Sequence, residues 1–294
     1  MTQPKHRVGL APEFFLRMES CLGAPGEGAD HAVSVFCRKL QWLYWIDPNW
    51  TSASLLQLFD VDERFAEPAW SGYSYHNQLP VRRLFNKLKP NLLAAVAHGA
   101  RLNWKQSCLD KLVQYVVVGT VFFRGSRQLI SFSEARNCLR STTDLGRAAA
   151  IHYLRQHVRN GKSWADFGRI FVKNVWPKEL SVRSEATSRL LAEFATDAEQ
   201  HVASAVKLVL PLIGPSNQLE SFVHHISPSG DREEKAFAVR QPLEALELLD
   251  RLLGTSPNRI PYGLDRVLNV VARAAPEASQ SVILQRLRSL STAH

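Results

Sequence analysis

The residues whose types and spacing come nearest to a catalytic centre are the acids Asp60, Asp62 and Glu63 and the histidine pairs His152/His157 and His224/His225. Carboxylates on one side of a turn suit a divalent cation and convergent histidines suit zinc, so the chemistry to consider is metal-assisted hydrolysis. The spacing argues against it. His152 and His157 are five apart and point to different helix faces, His224 and His225 are adjacent and diverge, and no HExxH occurs. Pro68 and Trp70 follow the acids in a turn-like context, so capping and solvation explain Asp60, Asp62 and Glu63 better than a nuclease site. Neither a P-loop nor a GxGxxG after a strand is present, and no GxSxG elbow or recognisable nucleophilic cysteine setting occurs. The expectation is a non-enzymatic chain without cofactor or metal. A cryptic hydrolase using Asp60, Asp62 and scattered histidines is the distant alternative.

Charge offers a second kind of site. The chain carries 36 Lys and Arg against 27 Asp and Glu, a net +9. Eight cations lie between 124 and 162, namely Arg124, Arg127, Arg136, Arg140, Arg147, Arg155, Arg159 and Lys162, against Glu134 and Asp144, so this segment holds +6 of the excess. Arg136/Arg140 and Arg155/Arg159 are each four apart, the spacing that puts two side chains on one helix face. The geometry fits a basic ridge for nucleic acid or an acidic partner, because the guanidinium fork matches phosphate oxygens. The plainer reading is a solvated face, or arginines paired with acids of the C-terminal helices.

Those residues must be carried by helices. From about residue 131 the chain alternates start and stop signals. Ser131 with Glu134, Ser141 with Asp144, Ser163 with Asp166 and Thr196 with Glu199 each pair a capping oxygen with an acid three residues on. Gly161, Trp176-Pro177, Gly214-Pro215 and Gly254 read as stops. Leu243, Leu246, Leu249 and Leu253, then Leu264, Val267, Leu268 and Val271, then Val282, Ile283, Leu287 and Leu290, follow the helical period. Short connections make antiparallel hairpins, so the fold class is all-α: an irregular HEAT-like solenoid of helical hairpins, or a compact multi-helix domain. Two regions are expected, 1–130, helical and aromatic-rich, and 131–294, the hairpin array, unless the two form one continuous domain. The first region opens with the turn-rich Gly23 to Gly28 and breaks again at Lys87-Leu-Lys-Pro90. Val116 to Phe123 and Gln128 to Phe132 have strand character and leave room for one small β-hairpin near 116–132. Pro228 to Glu234 reads as an exposed loop.

The four cysteines, Cys21, Cys37, Cys108 and Cys138, form no CxxC pair and no zinc spacing, which suits reduced thiols in a cytoplasmic protein. The N-terminus has no signal-peptide pattern, and the apolar run from Leu112 to Phe123 is too short to span a bilayer. No membrane association is expected.

The aromatic residues complete the inventory. In Trp42-Leu-Tyr-Trp45-Ile-Asp-Pro-Asn-Trp50, Trp42 and Trp45 share a helix face and Asp47-Pro48 ends the apolar run; the expectation is core packing ahead of a stacking platform. Tyr73 and Tyr75, in Trp70-Ser-Gly-Tyr-Ser-Tyr75, are read as less buried than the tryptophans and as candidate partner contacts.

Two groups of landmarks also carry a resemblance. Leu43-Tyr-Trp-Ile-Asp47-Pro-Asn-Trp50, Leu55-Leu-Gln-Leu-Phe59-Asp60, Ala69-Trp70-Ser-Gly-Tyr73 and Leu88-Lys-Pro90 form the first. Phe171-Val-Lys-Asn-Val-Trp176-Pro177, Arg183-Ser184 and Leu208-Val-Leu-Pro211-Leu form the second. Together, over about residues 30 to 290, they resemble the C-terminal helical region of large bacterial anti-phage defence proteins, many of which begin with a sirtuin-like NAD-consuming domain. The resemblance implies a scaffold, sensor or regulator acting through protein contacts beside a separately encoded effector, or the 3′ portion of a larger gene. The sequence holds no glycine-rich NAD motif, so NAD hydrolysis does not carry over, and no active-site residue of the family maps onto this chain. A nucleic-acid-binding protein using the arginine ridge is the alternative function.

Overall fold

The computed structural model describes residues 9–75, 79–123, 125–159, 164–228, 233–255 and 257–292. The described residues are all-α, with no strand among them. They divide into two compact units, 1–150 and 151–294, so the division falls inside a helix rather than near residue 130.

The first unit runs through α1 (Pro12–Leu22), α2 (Glu27–Arg38), α3 (Leu40–Ile46), the single turn α4 (Pro48–Trp50), α5 (Ala66–Ser74), α6 (Arg82–His98), α7 (Gln106–Val117), α8 (Phe132–Ser141) and the start of α9 (Asp144–Arg159). Its tightest packing is α2 against α5. A Cβ built on Gly72 would lie 2.1 Å from the Ser34 carbonyl oxygen, so only glycine lets the two backbones approach this closely. Ser34 Oγ donates to the Pro68 carbonyl across the same contact at 2.9 Å. The Gly23 to Gly28 segment turns the chain from α1 into α2, with Gly26 at a φ of 62°.

Two expectations fail here. Pro90 does not break the chain but lies inside α6. Proline removes one backbone donor, yet Leu84, Phe85, Leu88, Leu92, Ala95 and Val96 bury a continuous stripe on both sides of it, and that burial carries the helix through. Nor is there a strand among the described residues of 116–132: α7 passes directly into a π-helical turn, Val118–Phe122. The returning segment donates both Leu129 N–H and Ile130 N–H to the one Gly119 carbonyl, each at 3.1 Å, which anchors it without building a ladder.

The second unit contains the end of α9, then α10 (Glu185–Thr196), α11 (Val202–Val209), α12 (Glu220–Ile226), the short α13 (Phe237–Arg240), α14 (Pro242–Leu253), α15 (Leu264–Ala274) and α16 (Val282–Thr292). Its core includes Leu246, Leu249 and Leu253 of α14, Leu264, Val267, Leu268 and Val271 of α15, and Leu284 and Leu287 of α16. Leu243 and Val282, assigned to those stripes, instead lie exposed at the first turns of their helices.

The punctuation holds in part. Ser131 and Glu134 form a complete capping box, Trp176-Pro177 ends a π-helical turn, and Gly254 closes α14 with a φ of 65°. Ser141 is the last residue of α8, and the Gly146 N–H at the start of α9 finds Thr143 Oγ1 at 3.3 Å instead. Thr196 ends α10 rather than starting a helix, and the box that opens α10 is Ser184 with Thr187. The Gly161 stop, the Ser163 cap and most of the loop expected after Pro228 lie outside the described residues.

Candidate functional site

In the seven residues of α3, Leu40, Leu43, Tyr44 and Ile46 take the inward face. At 3.6 residues per turn, Trp42 and Trp45 then fall on the opposite side. They are 49% and 39% exposed, which corrects their assignment to the core. Only a single residue, Lys39, separates α2 from α3, and its backbone (φ −103°, ψ 11°) leaves the helical region, so α3 starts afresh with the Lys39 carbonyl accepting from Leu43 N–H at 2.9 Å. Val35 and Arg38 are exposed on α2 and Trp42 and Trp45 on α3, to either side of this junction. Val35 is 59% exposed.

Tyr75 reaches Arg38 from the end of α5. It follows Ser74 at the helix end, is 67% exposed, and lies under the Arg38 guanidinium, 3.8 Å from ring centroid to Cζ. The close approach at Gly72 fixes the register of α5 on α2, and so fixes Tyr75 beside Arg38. The ring's negative face holds the cation without neutralising it.

Trp50 behaves differently from its two neighbours. It is buried, its indole Nε1–H donates to Glu19 Oε1 at 2.8 Å, and Phe15 meets its ring edge-on at a centroid distance of 6.3 Å. Tyr73, named with Tyr75 as a contact, is 6% exposed and packs against Phe59, Trp70 and Tyr115 in T-shaped pairs. Burial, with the neighbouring Tyr115 adding to it, pushes its phenol well above the ordinary tyrosine range.

The basic segment between 124 and 162 is not one surface. Arg124 and Lys162 lie outside the described residues, as does the side chain of Arg159. Arg127 and Arg140 are exposed, Arg140 donating to Asn137 Oδ1 at 2.9 Å, and Arg136 is half-buried. Arg147 is only 7% exposed: its Nη1 donates to the Leu139 and Thr142 carbonyls at 2.9 and 2.6 Å, and its Nη2 pairs with Asp144 at 2.6 Å. It closes the carbonyl end of α8. Arg155, also 7% exposed, donates through Nε to Asp197 Oδ2 at 2.8 Å and through Nη1 to Glu193 Oε2. Both are taken up by the fold, and Arg155 is bound by acids of a later helix.

The residues first considered for hydrolysis do not converge. Asp60, Asp62 and Glu63 are exposed, Asp60 Oδ1 accepting from the Asp62 N–H at 3.2 Å in a local turn. No set of three metal-ligating side chains gathers among the described residues. His157 Nδ1 contacts the Tyr153 carbonyl at 2.8 Å, and His225 Nε2 meets Thr196 Oγ1 at 2.8 Å. No helix among the described residues is long and apolar enough to cross a membrane.

The sequence reading missed Val35 and Arg38 and misplaced Trp42 and Trp45. The signal was present in Leu40–Ile46: four large aliphatic or tyrosine positions already fill one side of so short a helix, leaving the tryptophans the other. Compared with protein-family models, with curated proteins and with solved structures, the chain matches none.

Proposed function

We propose that the chain is a non-enzymatic helical interaction module whose first unit docks a partner protein on the face formed by Val35, Arg38, Trp42, Trp45 and Tyr75. The observation that carries this reading is the exposure of two tryptophans on α3 together with that of Tyr75, stacked on Arg38 of the adjoining α2. Tryptophan, tyrosine and arginine are the residues in which binding energy at protein interfaces concentrates. Full burial of a large apolar side chain gives roughly 1.5–3 kcal/mol, and the exposed part of each ring forgoes a share of it that a partner recovers. The resemblance of the aromatic and proline landmarks supports a bacterial anti-phage defence system as the setting, with the chain as scaffold, sensor or regulator of a separately encoded effector. A cytoplasmic location fits its four unpaired cysteines.

The test is site-specific photocrosslinking in the native host. A benzophenone amino acid replacing Val35 is expected to trap one protein, whereas the same group at Tyr262, which is 92% exposed in the second unit, should trap none. Equal, non-selective labelling from both positions contradicts the proposal. Crosslinks to nucleic acid would instead favour the alternative function, now resting on Arg127, Arg140 and Arg38 rather than on the full arginine ridge.

A further inference from the structure

The first unit holds a cleft of 730 Å³ whose walls include Tyr44, Asp47, Asn49, Ser52, Arg83 and Lys87. Its volume lies within the range of small-molecule sites. Tyr44 comes from α3, Asp47 caps α4, Asn49 lies in α4 and Ser52 in the π-helical turn Thr51–Leu55 that follows it. Arg83 and Lys87 come from the first two turns of α6.

The cations of this cleft have few partners in the protein. Arg83 and Lys87 are four residues apart, so their side chains share one face of α6. Lys87 Nζ donates to Ser52 Oγ at 3.1 Å, and that hydroxyl donates in turn to the Pro48 carbonyl at 2.6 Å, so the ammonium is positioned and keeps two further protons to give. The Arg83 guanidinium makes no hydrogen bond among the described residues, and neither cation meets a carboxylate within 4.0 Å among them. Asp47 is the acid of the wall, and backbone already holds it: Oδ1 accepts from the Trp50 N–H at 2.9 Å and Oδ2 from the Leu10 N–H at 3.4 Å. Two cations thus stand against one carboxylate. The parts of the first unit outside the described residues, 1–8, 76–78 and 124, contain no Asp or Glu, so they cannot reverse this balance.

The helix adds to that charge. The first turn of α6 contains no acid, and no side chain caps it, so the positive end of its dipole stands beside Arg83 uncompensated. Size and charge together then limit the ligand. A continuous nucleic-acid backbone would bring successive phosphates against Asp47, with no other cation of the described wall to meet them. A compact anion needs only Arg83 and Lys87.

We infer that this cleft binds a small phosphate-bearing anion. The Arg83 fork and the Lys87 ammonium supply charge-assisted donors to the phosphate oxygens, with Asn49 beside them, and Asp47 offers an acceptor to a hydroxyl or amine elsewhere in the molecule. The inference does not depend on the docking face. If both hold, the ligand lies against α3 from the side of Tyr44, while Trp42 and Trp45 stand exposed on the other.

The experiment is isothermal titration of the full chain in chloride buffer with inorganic pyrophosphate, with AMP and with a short single-stranded oligothymidylate lacking terminal phosphates. Saturable binding of one equivalent is expected for pyrophosphate or AMP, and R83Q/K87Q should weaken it about a hundredfold, about tenfold for each charged donor removed. Asn49→Asp adds a second carboxylate to the wall and should weaken it about tenfold. All three side chains are exposed, so folding should stay intact. Should R83Q/K87Q lose its native circular dichroism, Asn49→Asp carries the test alone. R266Q/R288Q removes two exposed cations from the second unit and should leave the affinity unchanged. AMP binding tighter than pyrophosphate identifies a nucleotide-like ligand; the reverse identifies an inorganic polyanion. Four results overturn the inference: no saturable binding of either small probe, binding unaffected by the cleft variants, equal weakening by R266Q/R288Q, or an oligonucleotide bound more tightly than both small probes.

Discussion

Replacing Arg155 by methionine tests whether this arginine belongs to the fold or to a nucleic-acid surface. Its guanidinium bridges Glu193 and Asp197, and all three side chains are about nine-tenths buried. Methionine keeps much of the volume and removes the charge from between two buried carboxylates, with Arg189, 3.5 Å from Glu193, as partial compensation. Removing one partner of a buried ion pair costs roughly 3–5 kcal/mol, and the residual help from Arg189 places the expected loss near the lower end, about 3 kcal/mol. That is a large share of the roughly 5–15 kcal/mol by which a folded domain is stable. Urea unfolding followed by far-ultraviolet circular dichroism measures it. The triple variant R155M/E193Q/D197N, which removes every charge of the cluster's core, should recover most of the loss, because the penalty comes from stranded carboxylates rather than from a missing attraction. Arg140→Met, at an exposed site, should stay within about 0.5 kcal/mol of the unaltered chain. An Arg155→Met variant less than 1 kcal/mol below the unaltered chain, or a triple variant as unstable as the single one, would refute the reasoning.

Other consequences follow from the packing. Gly72→Ala brings a methyl group within 2.1 Å of the Ser34 carbonyl oxygen, so α2 and α5 must separate; a loss of about 3 kcal/mol or more is expected in the same urea assay, together with weaker partner binding. Burial raises the thiols of Cys108 and Cys138 to about 11 and about 12, and that of Cys37 further, so labelling of the native chain should show one fast thiol, Cys21, and three that react only on unfolding. At Glu134, burial alone would raise the carboxyl, but the bonds from Lys89 and Ser131 together outweigh it and hold it below the usual glutamate range. A folded value below the unfolded one means stability that is complete above the ordinary carboxylate range and lost as pH falls through the depressed value. Stability measured between pH 7 and pH 3 should therefore fall less for Glu134→Gln than for the unaltered chain.

How far the sequence could be read depends on whether each signal was local. A capping box is settled within four residues, and Ser131 with Glu134 forms as its spacing predicts. The same spacing at Thr196 and Glu199 means nothing, because Thr196 is already the last residue of a helix that begins at Ser184. Pro90 and the valine-rich run from 116 to 123 were decided by partners far away in the chain. The apolar stripe of α6 packs on α7 and α8 strongly enough to absorb a proline, and strand-forming residues without a strand to pair with remain helical. Arg136 and Arg140 differ from Arg147 and Arg155 in what lies opposite them, which spacing along one helix does not encode; Glu193 and Asp197 are 38 and 42 residues from Arg155. For Trp42 and Trp45 the error was one of weight. Ring size argued for burial, but a seven-residue helix has room for only one buried side, and the residues at 40, 43, 44 and 46 occupy it.

The most direct test of the proposed docking face is affinity purification of the tagged chain from its native host, at low and high salt and with nuclease treatment, beside the variant W42S/W45S/Y75S. All three side chains are exposed, so the variant should fold as the unaltered chain does, which its circular dichroism and urea midpoint will check. The account predicts a stoichiometric protein that stays with the unaltered chain through high salt and nuclease and is lost from the variant. A protein retained equally by both, or only nucleic acid that is released as salt rises, would contradict it.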